Sequence, residues 1–294
     1  MNNSNHPGSG RADSNQHVVV ISGGTDGMGR AVALGRLDRG DRVVVIGSNA
    51  DKGRHLLAAA AERDADDRIE FIQADLSRIA DVRGVIERIR SRYEVVDALC
   101  LFANRQVPRR IVTDDGVEKT FALYYLSRYL LSHELAPLLR RSDSPVIVNV
   151  AGVGVTKGEI YWDDVTLAGR YNTIRAQLQA GRANDLLGVA FAAQSDNPIR
   201  YVLYHPGFTK SGDLGPLPAP VRGLLRVASL IAARPVEEAV APVHGFIDGP
   251  PGAPLTAIDR GRSLPLTLSS LDPDNAARLA ELTAKLLAGR QSEG

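Results

Sequence analysis

The chain has 294 residues, 44% of them hydrophobic and 23% charged, and its formal net charge at pH 7 is +1. This composition is ordinary for a globular domain, and the small net charge gives no electrostatic reason to expect nucleic acid or an anionic membrane as a partner. The sequence contains one cysteine, Cys100, which excludes an internal disulfide and a cysteine-rich metal site. Because Cys100 lies in an apolar run, we interpret it as a small buried hydrophobic residue.

The N-terminal stretch differs in composition from the rest of the chain. Residues 1–16 are rich in Asn, Ser and Gly and lack the apolar core of a signal peptide, so we interpret them as a flexible tail. No apolar segment reaches the roughly 20 residues that cross a bilayer, and no linker divides residues 17–294. We therefore expect a single cytoplasmic domain without a membrane partner.

Strand-like and helix-like patterns alternate from residue 17 onward. Strands are predicted over 17–22, 42–46, 68–73, 97–103, 145–150 and 200–204. Helices are predicted over 27–39, 51–63, 76–93, 116–140 and 173–194. This alternation predicts an α/β fold with a doubly wound parallel sheet and helices on both faces.

The last third of the chain is less regular. Residues 211–220 are rich in Gly and Pro, and an apolar helix pattern follows over 221–233. Loops that follow strand ends bind ligands in such sheets, so 207–233 is a candidate substrate lid, with a plain surface loop as the equal alternative. A closing amphipathic helix is predicted over 272–288.

The strongest signal is a glycine-rich turn between the first strand and the first helix. Gly23 can adopt backbone angles closed to other residues, Gly27 lets the main chain approach a phosphate, and Gly29 lets the helix sit close to the strand. The free N–H groups and the positive dipole end of that helix would face an anion. Strand, turn and helix in this order favour dinucleotide binding over an ordinary turn.

This turn, together with Asp75-Leu76 after the third strand and His205-Pro206-Gly207 after the sixth, resembles the short-chain dehydrogenase/reductase family. The similarity is greatest to its retinol-dehydrogenase-like branch, over 113–131 and in the closing segment. The resemblance implies a Rossmann fold with a seven-stranded parallel sheet that binds NAD or NADP. It also implies that Asp75 contacts the adenine. The alternative is that its carboxylate caps the helix over 76–93, which is compatible with contact to the adenine. Pro206 and Gly207 would shape the nicotinamide end.

The end of the second strand bears on the choice of cofactor. NAD-preferring relatives place an acid there, but in this chain Gly47 is followed by Ser48 and Asn49, with no acid before position 51. Ser48 and Asn49 can donate hydrogen bonds to a 2′-phosphate, and Lys52 or Arg54 can supply charge, so we favour NADP(H) over NAD(H). The alternative is that Ser48 and Asn49 only cap the next helix. The residues predicted to bind the cofactor are Gly23, Thr25, Asp26, Gly27, Met28, Gly29, Ser48, Asn49, Asp75, Leu76, Ala103, Asn104, Pro206 and Gly207.

In this family an asparagine, a serine, a tyrosine and a lysine carry the proton transfer, and the resemblance places other residues at all four positions. Tyr124 aligns with the asparagine, Gly152 with the serine, Gln177 with the tyrosine and Gly181 with the lysine. Glycine has no hydroxyl, and glutamine releases no proton near neutral pH. Losing a positioned general acid removes about 10²–10⁴ in rate, so ordinary ketone reduction is not expected. Tyr124 and Gln177 remain the candidate catalytic residues.

A competing alignment takes Tyr171 and Arg175 as a shifted tyrosine and lysine. It leaves too long a gap to Pro206, and an arginine differs from a lysine in reach and hydrogen bonding. Other candidate proton donors are Tyr124, Tyr125, Tyr204 and His205, and candidate pocket walls are Tyr161 and Trp162. The two consecutive tyrosines point to different faces of a helix, so at most one of them faces the pocket.

Three functions fit these observations. The favoured one is an atypical NADP(H)-dependent oxidoreductase that reduces an electron-poor small molecule such as a quinone, enone or iminium, because the cofactor itself carries hydride chemistry. The alternatives are a non-redox cyclase, dehydratase or isomerase on the same fold, and a catalytically silent nucleotide-binding protein. The resemblance also implies a homodimer or homotetramer through the two long helices, 116–140 and 173–194.

Overall fold

The computed structural model describes residues 16–155, 157–169, 171–207 and 235–288. The strands are β1 (Val18–Ser22), β2 (Arg42–Gly47), β3 (Ile69–Gln73), β4 (Ala98–Leu101), β5 (Val146–Val150), β6 (Arg200–His205), β7 (Leu255–Asp259) and β8 (Arg262–Ser263). They form one sheet in the order β3-β2-β1-β4-β5-β6-β7-β8. The chain order reverses between β1 and β4, which places the ligand-binding crevice of such a sheet beyond the carboxyl ends of these two strands.

Seven of these strands are parallel, and β8 runs antiparallel to β7. The number of parallel strands agrees with the seven that the resemblance implies. The two-residue β8 adds an eighth strand at the edge of the sheet. The periodicity predicted only the first six. The sequence of β7, Leu-Thr-Ala-Ile-Asp, is too short and too polar to stand out as a strand pattern.

The helices are α1 (Gly27–Leu37), α2 (Ala50–Ala61), α3 (Ile79–Arg92), α4 (Lys119–Phe121), α5 (Ser127–Glu134), α6 (Ala136–Leu139), α7 (Thr173–Ala192), α8 (Val236–Asp248) and α9 (Pro273–Ala288). The predicted single helix over 116–140 is wrong in detail. A π-helical turn, Ala122–Leu126, joins α4 to α5, and a break at Leu135 precedes α6. Pro137 explains that break, because it has no N–H group with which to continue the helix before it.

The apolar strands separate two hydrophobic cores. Side chains of α1, α2 and α8 cover one face of the sheet, and side chains of α3, α5, α7 and α9 cover the other. Successive residues of β1 alternate between these cores, with Val19 and Ile21 on one face and Val20 on the other, all fully buried. Burial on both faces explains why the strands are continuous apolar runs instead of alternating ones.

Cys100 lies in the middle of β4 and is fully buried. Its strand pairs with β1 on one side and with β5 on the other. Burial raises the pKa of its thiol to about 12, so it behaves as the small hydrophobic residue that the sequence predicted.

Helix α9 packs along α7 and against the π-helical turn. Ala276 and Leu279 belong to the same core as Leu186 of α7, and the hydroxyl groups of Tyr125 and Thr283 are 2.7 Å apart. Tyr125 and Leu186, from the two segments predicted as long helices, therefore already have partners in α9. The predicted homodimer or homotetramer through those helices therefore rests on the resemblance alone.

Two predictions fall outside the described residues. They are the flexible tail, apart from Gln16, and the lid with its helix, apart from Gly207. Among the residues that the structure does describe, none of the helices combines the length and the apolar character needed to cross a membrane.

Candidate active site

The turn between β1 and α1 has no room for a side chain at Gly23 or Gly29. Gly23 has a φ of +74°, and a Cβ atom there would lie 2.7 Å from the main-chain nitrogen of Ala103. A Cβ atom on Gly29 would lie 2.3 Å from the carbonyl oxygen of Gly23. Gly27 has a φ of +51°, and Asp26 caps α1 by accepting a hydrogen bond from the Gly27 N–H group at 2.8 Å. The start of α1 is thus held close to the strand ends, as a dinucleotide pyrophosphate requires.

A cleft with a volume of about 410 Å³ opens at this turn, at the carboxyl edge of the sheet. Every residue predicted to bind the cofactor lines it except Pro206 and Gly207. Lys52, the cation considered for the 2′-phosphate, also lines it, and the lining residues that the sequence reasoning did not assign to the cofactor are Ile46, Gly47, Ala74, Phe102, Arg105, Val107, Lys119 and Leu123. The cleft therefore joins the glycine turn, the end of β2, the end of β3 and the turn after β4 into one surface.

Lys52 is the cation nearest to the end of β2, and it is already paired. Its ammonium group contacts the Asp26 carboxylate across the cleft, and this hydrogen bond holds the pKa of Asp26 below its usual range. Asn49 caps α2, because its Oδ1 accepts a hydrogen bond from the main-chain N–H of Lys52 at 2.9 Å. Capping uses the amide oxygen, whereas donation to a phosphate uses the amide nitrogen, so the two interpretations of Asn49 are compatible. Arg54 is paired with Asp51.

The structure corrects the expected capping role of Asp75. Helix α3 begins at Ile79, later than predicted, with Arg78 as its N-cap residue. The Asp75 carboxylate instead accepts hydrogen bonds from the N–H and hydroxyl groups of Ser77, at 3.0 and 2.7 Å, and lies 3.3 Å from Lys119 Nζ. Burial opposes ionisation here, but these donors keep the pKa of Asp75 below its usual range. Asp75 therefore forms a local Asx turn with Ser77 instead of a helix cap.

Of the positions aligned with the proton-transfer residues, Gln177 contacts a residue that lines the cleft. The side chain of Gln177, in the first half of α7, exchanges hydrogen bonds with that of Asn104, which lines the cleft. Gly152 follows β5, and a Cβ atom there would meet only Val155, at 3.5 Å. Gly181 lies in α7, and a Cβ atom there would meet nothing within 4 Å. The spaces at both glycines are open.

Tyr124 and Tyr125 point into different regions, as the sequence predicted. Tyr124 is 7% exposed and packs in a small cluster with Ala151, after β5, and Ala180, in α7. Its phenol oxygen accepts a hydrogen bond from the Gly152 N–H group. Tyr125 is buried in the main core against α9. Only Tyr124 therefore reaches the neighbourhood of the aligned positions.

Arg128 is a site residue that the sequence reasoning missed. It is fully buried, and its guanidinium group donates to the carbonyl oxygens of Ala103 and Val150, at 3.0 and 2.9 Å, and to the side chain of Asn149. It also stacks on the Tyr124 ring, with 4.6 Å from Cζ to the ring centroid. Burial lowers its pKa to about 10. The only sequence signal was an arginine among the apolar residues of α5, a pattern that normally marks an exposed position.

The comparisons with known proteins agree with this geometry. A family model described as short chain dehydrogenase matches residues 17–162, which include the glycine turn and the strands around the cleft. The chain belongs to the short-chain dehydrogenase family. Human polyprenol dehydrogenase is 29% identical over 168 residues, which are 55% of this chain and 51% of that protein. The match thus spans about half the length of this curated relative.

Solved structures share the fold of this chain. An uncharacterized protein from Mycobacterium paratuberculosis superposes with a TM-score of 0.68 and 22% identity, over 92% of this chain and 93% of that one. A short chain dehydrogenase from Shigella flexneri 2a strain 301, complexed with NADP, superposes with a TM-score of 0.61 and 17% identity, over 84% and 98% of the two chains.

The competing alignment of the family tyrosine with Tyr171 gains no support from the geometry. The Tyr171 hydroxyl donates to the carbonyl oxygen of Val107 at 2.6 Å, and Arg175 stacks on the ring of Tyr161 instead of approaching Tyr171. The two residues therefore do not form a pair like the family's tyrosine and lysine. Neither Tyr161 nor Trp162 is among the residues that line the cleft, and Arg278 stacks on the Trp162 ring at 4.2 Å.

The two candidate proton donors at the end of β6, Tyr204 and His205, differ in their exposure to solvent. Tyr204 is buried, and its hydroxyl donates to the carbonyl oxygen of Ala239 at 2.9 Å, on the face of the sheet covered by α8. His205 is 31% exposed, and its Nδ1 atom lies 2.8 Å from the Asp259 carboxylate. Of these two, only His205 retains an accessible ring edge at the carboxyl end of the sheet.

Proposed function

We propose that this chain is an NADP(H)-dependent oxidoreductase that reduces an electron-poor small molecule, such as a quinone, enone or iminium. The observation that carries the proposal is the cleft at the glycine turn. Its floor is a turn in which a Cβ atom on Gly23 or Gly29 would clash with the main chain, and the cleft is lined by the predicted cofactor residues except Pro206 and Gly207. Such a turn fits a pyrophosphate, which would lie at the N-terminus of α1.

The end of β2 supports the phosphorylated cofactor. No carboxylate stands on Gly47, Ser48 or Asn49, all of which line the cleft, and Lys52 lies beside them. Asp26 competes for that ammonium group, so a 2′-phosphate would have to displace it. The bound dinucleotide would supply the hydride, and the residues around it would bind and orient the substrate.

The choice of an electron-poor substrate follows from the aligned proton-transfer positions. Gly152 and Gly181 have no functional group, and the Gln177 amide is engaged with Asn104. A carbon that accepts hydride readily needs less help from an acid than a simple ketone does. We therefore expect quinones or enones to be reduced faster than simple ketones of similar size.

The test is calorimetric titration with NADPH and with NADH, followed by NADPH oxidation assays against ketones, quinones and enones. Calorimetry is preferred to intrinsic fluorescence because Trp162, the only tryptophan, lies away from the cleft. Binding of NADPH together with turnover of an electron-poor acceptor supports the proposal. Binding without turnover indicates the silent nucleotide-binding protein, and the absence of binding indicates non-redox chemistry.

A further inference from the structure

Arg128 is a buried cation without an acidic partner. Its side chain is fully buried, and among the described residues no carboxylate forms an ion pair with it. Its hydrogen bonds go to neutral oxygens at the ends of β4 and β5, namely Ala103, Asn149 and Val150. A buried charge held only by neutral acceptors is costly, so a structural role alone explains it poorly.

The group that faces this cation is the phenol of Tyr124. The guanidinium group lies over the ring at 4.6 Å, and the phenol oxygen accepts a hydrogen bond from the Gly152 N–H group. Both interactions favour negative charge on the phenol oxygen. They are the kind of stabilisation that a tyrosine needs if it is to release its proton and remain buried.

Small residues lie next to this phenol. The ring packs against Ala151 and Ala180, and the residues that follow them are Gly152 and Gly181. Both glycine positions are open on their side-chain side. Leu123, the neighbour of Tyr124 in the π-helical turn, lines the cleft itself. Single π-turns often occur at functional sites because they redirect a side chain.

We propose that Tyr124 is the proton donor of the reduction and that Arg128 is a positioning residue that stabilises the phenolate. This inference rests on the proposed function. For an enone, hydride forms a C–H bond at the β-carbon, and the π electrons move to the carbonyl oxygen. The Tyr124 O–H bond then breaks as an O–H bond forms on that oxygen. Water returns a proton to the phenolate after product release.

The protonation state of the resting protein suits a donor. Burial raises the pKa of Tyr124, and Arg128 acts in the opposite direction. The phenol is therefore protonated at neutral pH and becomes easier to ionise because of the arginine. Gln177, the other candidate catalytic residue, has no such proton to donate.

The first experiment compares Tyr124→Phe with Tyr125→Phe, using the best acceptor found for the wild type. Tyr124→Phe should lower kcat about 100-fold or more while the Kd for NADPH stays within about twofold. Tyr125→Phe loses a buried hydrogen bond to Thr283 and should lower the melting temperature, yet its kcat should stay within about threefold of the wild type.

The second experiment measures the phenol directly, without cofactor. Biosynthetic 3-fluorotyrosine lowers the phenol pKa values and allows each tyrosine to be titrated by fluorine NMR, with the Tyr124 signal assigned by its loss in Tyr124→Phe. Replacing Arg128 by Met should raise the Tyr124 pKa by about one unit or more, and Arg128→Lys should raise it less. If Arg128→Met does not fold, Arg128→Lys still tests the idea, since it should lower kcat with little change in KM.

An active wild type whose kcat is unchanged in Tyr124→Phe would overturn the inference while leaving the proposed function intact. Loss of activity in His205→Gln but not in Tyr124→Phe would overturn it as well and would assign the proton to the imidazole. A Tyr124 pKa that does not respond to Arg128→Met would remove the role of the arginine. If the wild type oxidises no NADPH with any acceptor, the proposed function itself fails.

Discussion

The side-chain amides of Asn104 and Gln177 bind each other reciprocally beside the cleft. Asn104 Nδ2 donates to Gln177 Oε1 at 3.1 Å, and Gln177 Nε2 donates to Asn104 Oδ1 at 3.3 Å. Gln177 also donates to the carbonyl oxygen of Arg105, at 3.3 Å. The amide of Gln177 therefore ties the first half of α7 to the turn after β4, in place of presenting a proton donor.

This arrangement predicts that ordinary ketone reduction can be introduced. The combined variant Gly152→Ser, Gln177→Tyr and Gly181→Lys restores the family's side chains, and the open space at both glycines accommodates them. We expect it to reduce a simple ketone about 100-fold faster than the wild type does in an NADPH oxidation assay.

The matched control for this variant carries Gln177→Phe in place of Gln177→Tyr and so differs only by one hydroxyl group. It should show no gain in ketone reduction. Equal rates in the two combined variants would mean that the aligned positions do not surround the reacting carbon.

Alanine substitutions at two glycines with positive φ should affect NADPH binding differently. Gly23→Ala places a Cβ atom 2.7 Å from the main chain of Ala103 and should weaken NADPH binding about tenfold or more. Gly40 has a φ of +91° with nothing within 4 Å of its Cβ position, so Gly40→Ala should cost about 1 kcal/mol of stability through backbone strain. Calorimetry should find NADPH binding unaltered in the Gly40 variant.

Cofactor selectivity should respond to the pair of Lys52 and Asp26. Lys52→Met should weaken NADPH binding about tenfold and leave NADH binding within about twofold, because only NADPH carries a 2′-phosphate. Asp26→Asn frees the ammonium group and should shift the ratio of the two Kd values toward NADPH. Arg54→Met serves as the control, since Arg54 is an exposed cation of the same helix that is paired with Asp51. An equal loss of affinity for NADPH and NADH in Lys52→Met would contradict the 2′-phosphate contact.

The stability of the chain should fall as Asp185 ionises. Burial raises the pKa of this carboxyl to about 7, although Gly154 N–H donates to it at 3.2 Å. Since the folded pKa exceeds the unfolded one, the native state holds the proton more tightly, and stability is lost as pH rises from about 4 to about 7. Asp185→Asn should therefore raise the melting temperature more at pH 8 than at pH 5, as measured by calorimetry.

Asp41 provides a contrast of opposite sign. Burial opposes its ionisation, but His17 and Arg36 hold its pKa below the usual range. Its contribution to stability is thus present above about pH 4 and lost at lower pH, so Asp41→Asn should destabilise the chain at pH 8.

A pH-independent effect of Asp185→Asn would mean that the Asp185 carboxyl keeps an ordinary affinity for its proton.

Residue patterns predicted the parts of the structure that depend on local physics. The apolar runs of β1, β2 and β5 are buried on both faces of a sheet, main-chain contacts require glycine at 23 and 29, and Gly27 has a positive φ. The parallel sheet and the position of the glycine turn followed from those two features, whereas the cofactor residues after β3 and β4 were predicted from the family resemblance.

Other parts depend on contacts between distant segments, which a single sequence does not display. The sequence analysis assigned no role to Arg128, yet strand ends brought together by the fold surround it with carbonyl groups. Asp75 was expected to cap a helix, but Ser77 and Lys119 draw its carboxylate elsewhere. The π-helical turn that positions Tyr124 has no distinct composition, since Ala-Leu-Tyr-Tyr-Leu is equally compatible with an ordinary helix.

The single thiol of the chain is embedded between two parallel neighbours at the centre of the sheet. A maleimide or disulfide reagent can react with Cys100 only when the helices that cover its face of the sheet, α1, α2 and α8, move away from the strands. Its modification rate therefore reports how often the middle of the molecule opens, and a tightly bound nucleotide would slow that rate without touching the sulfur atom. The protein carries its own kinetic probe of ligand binding.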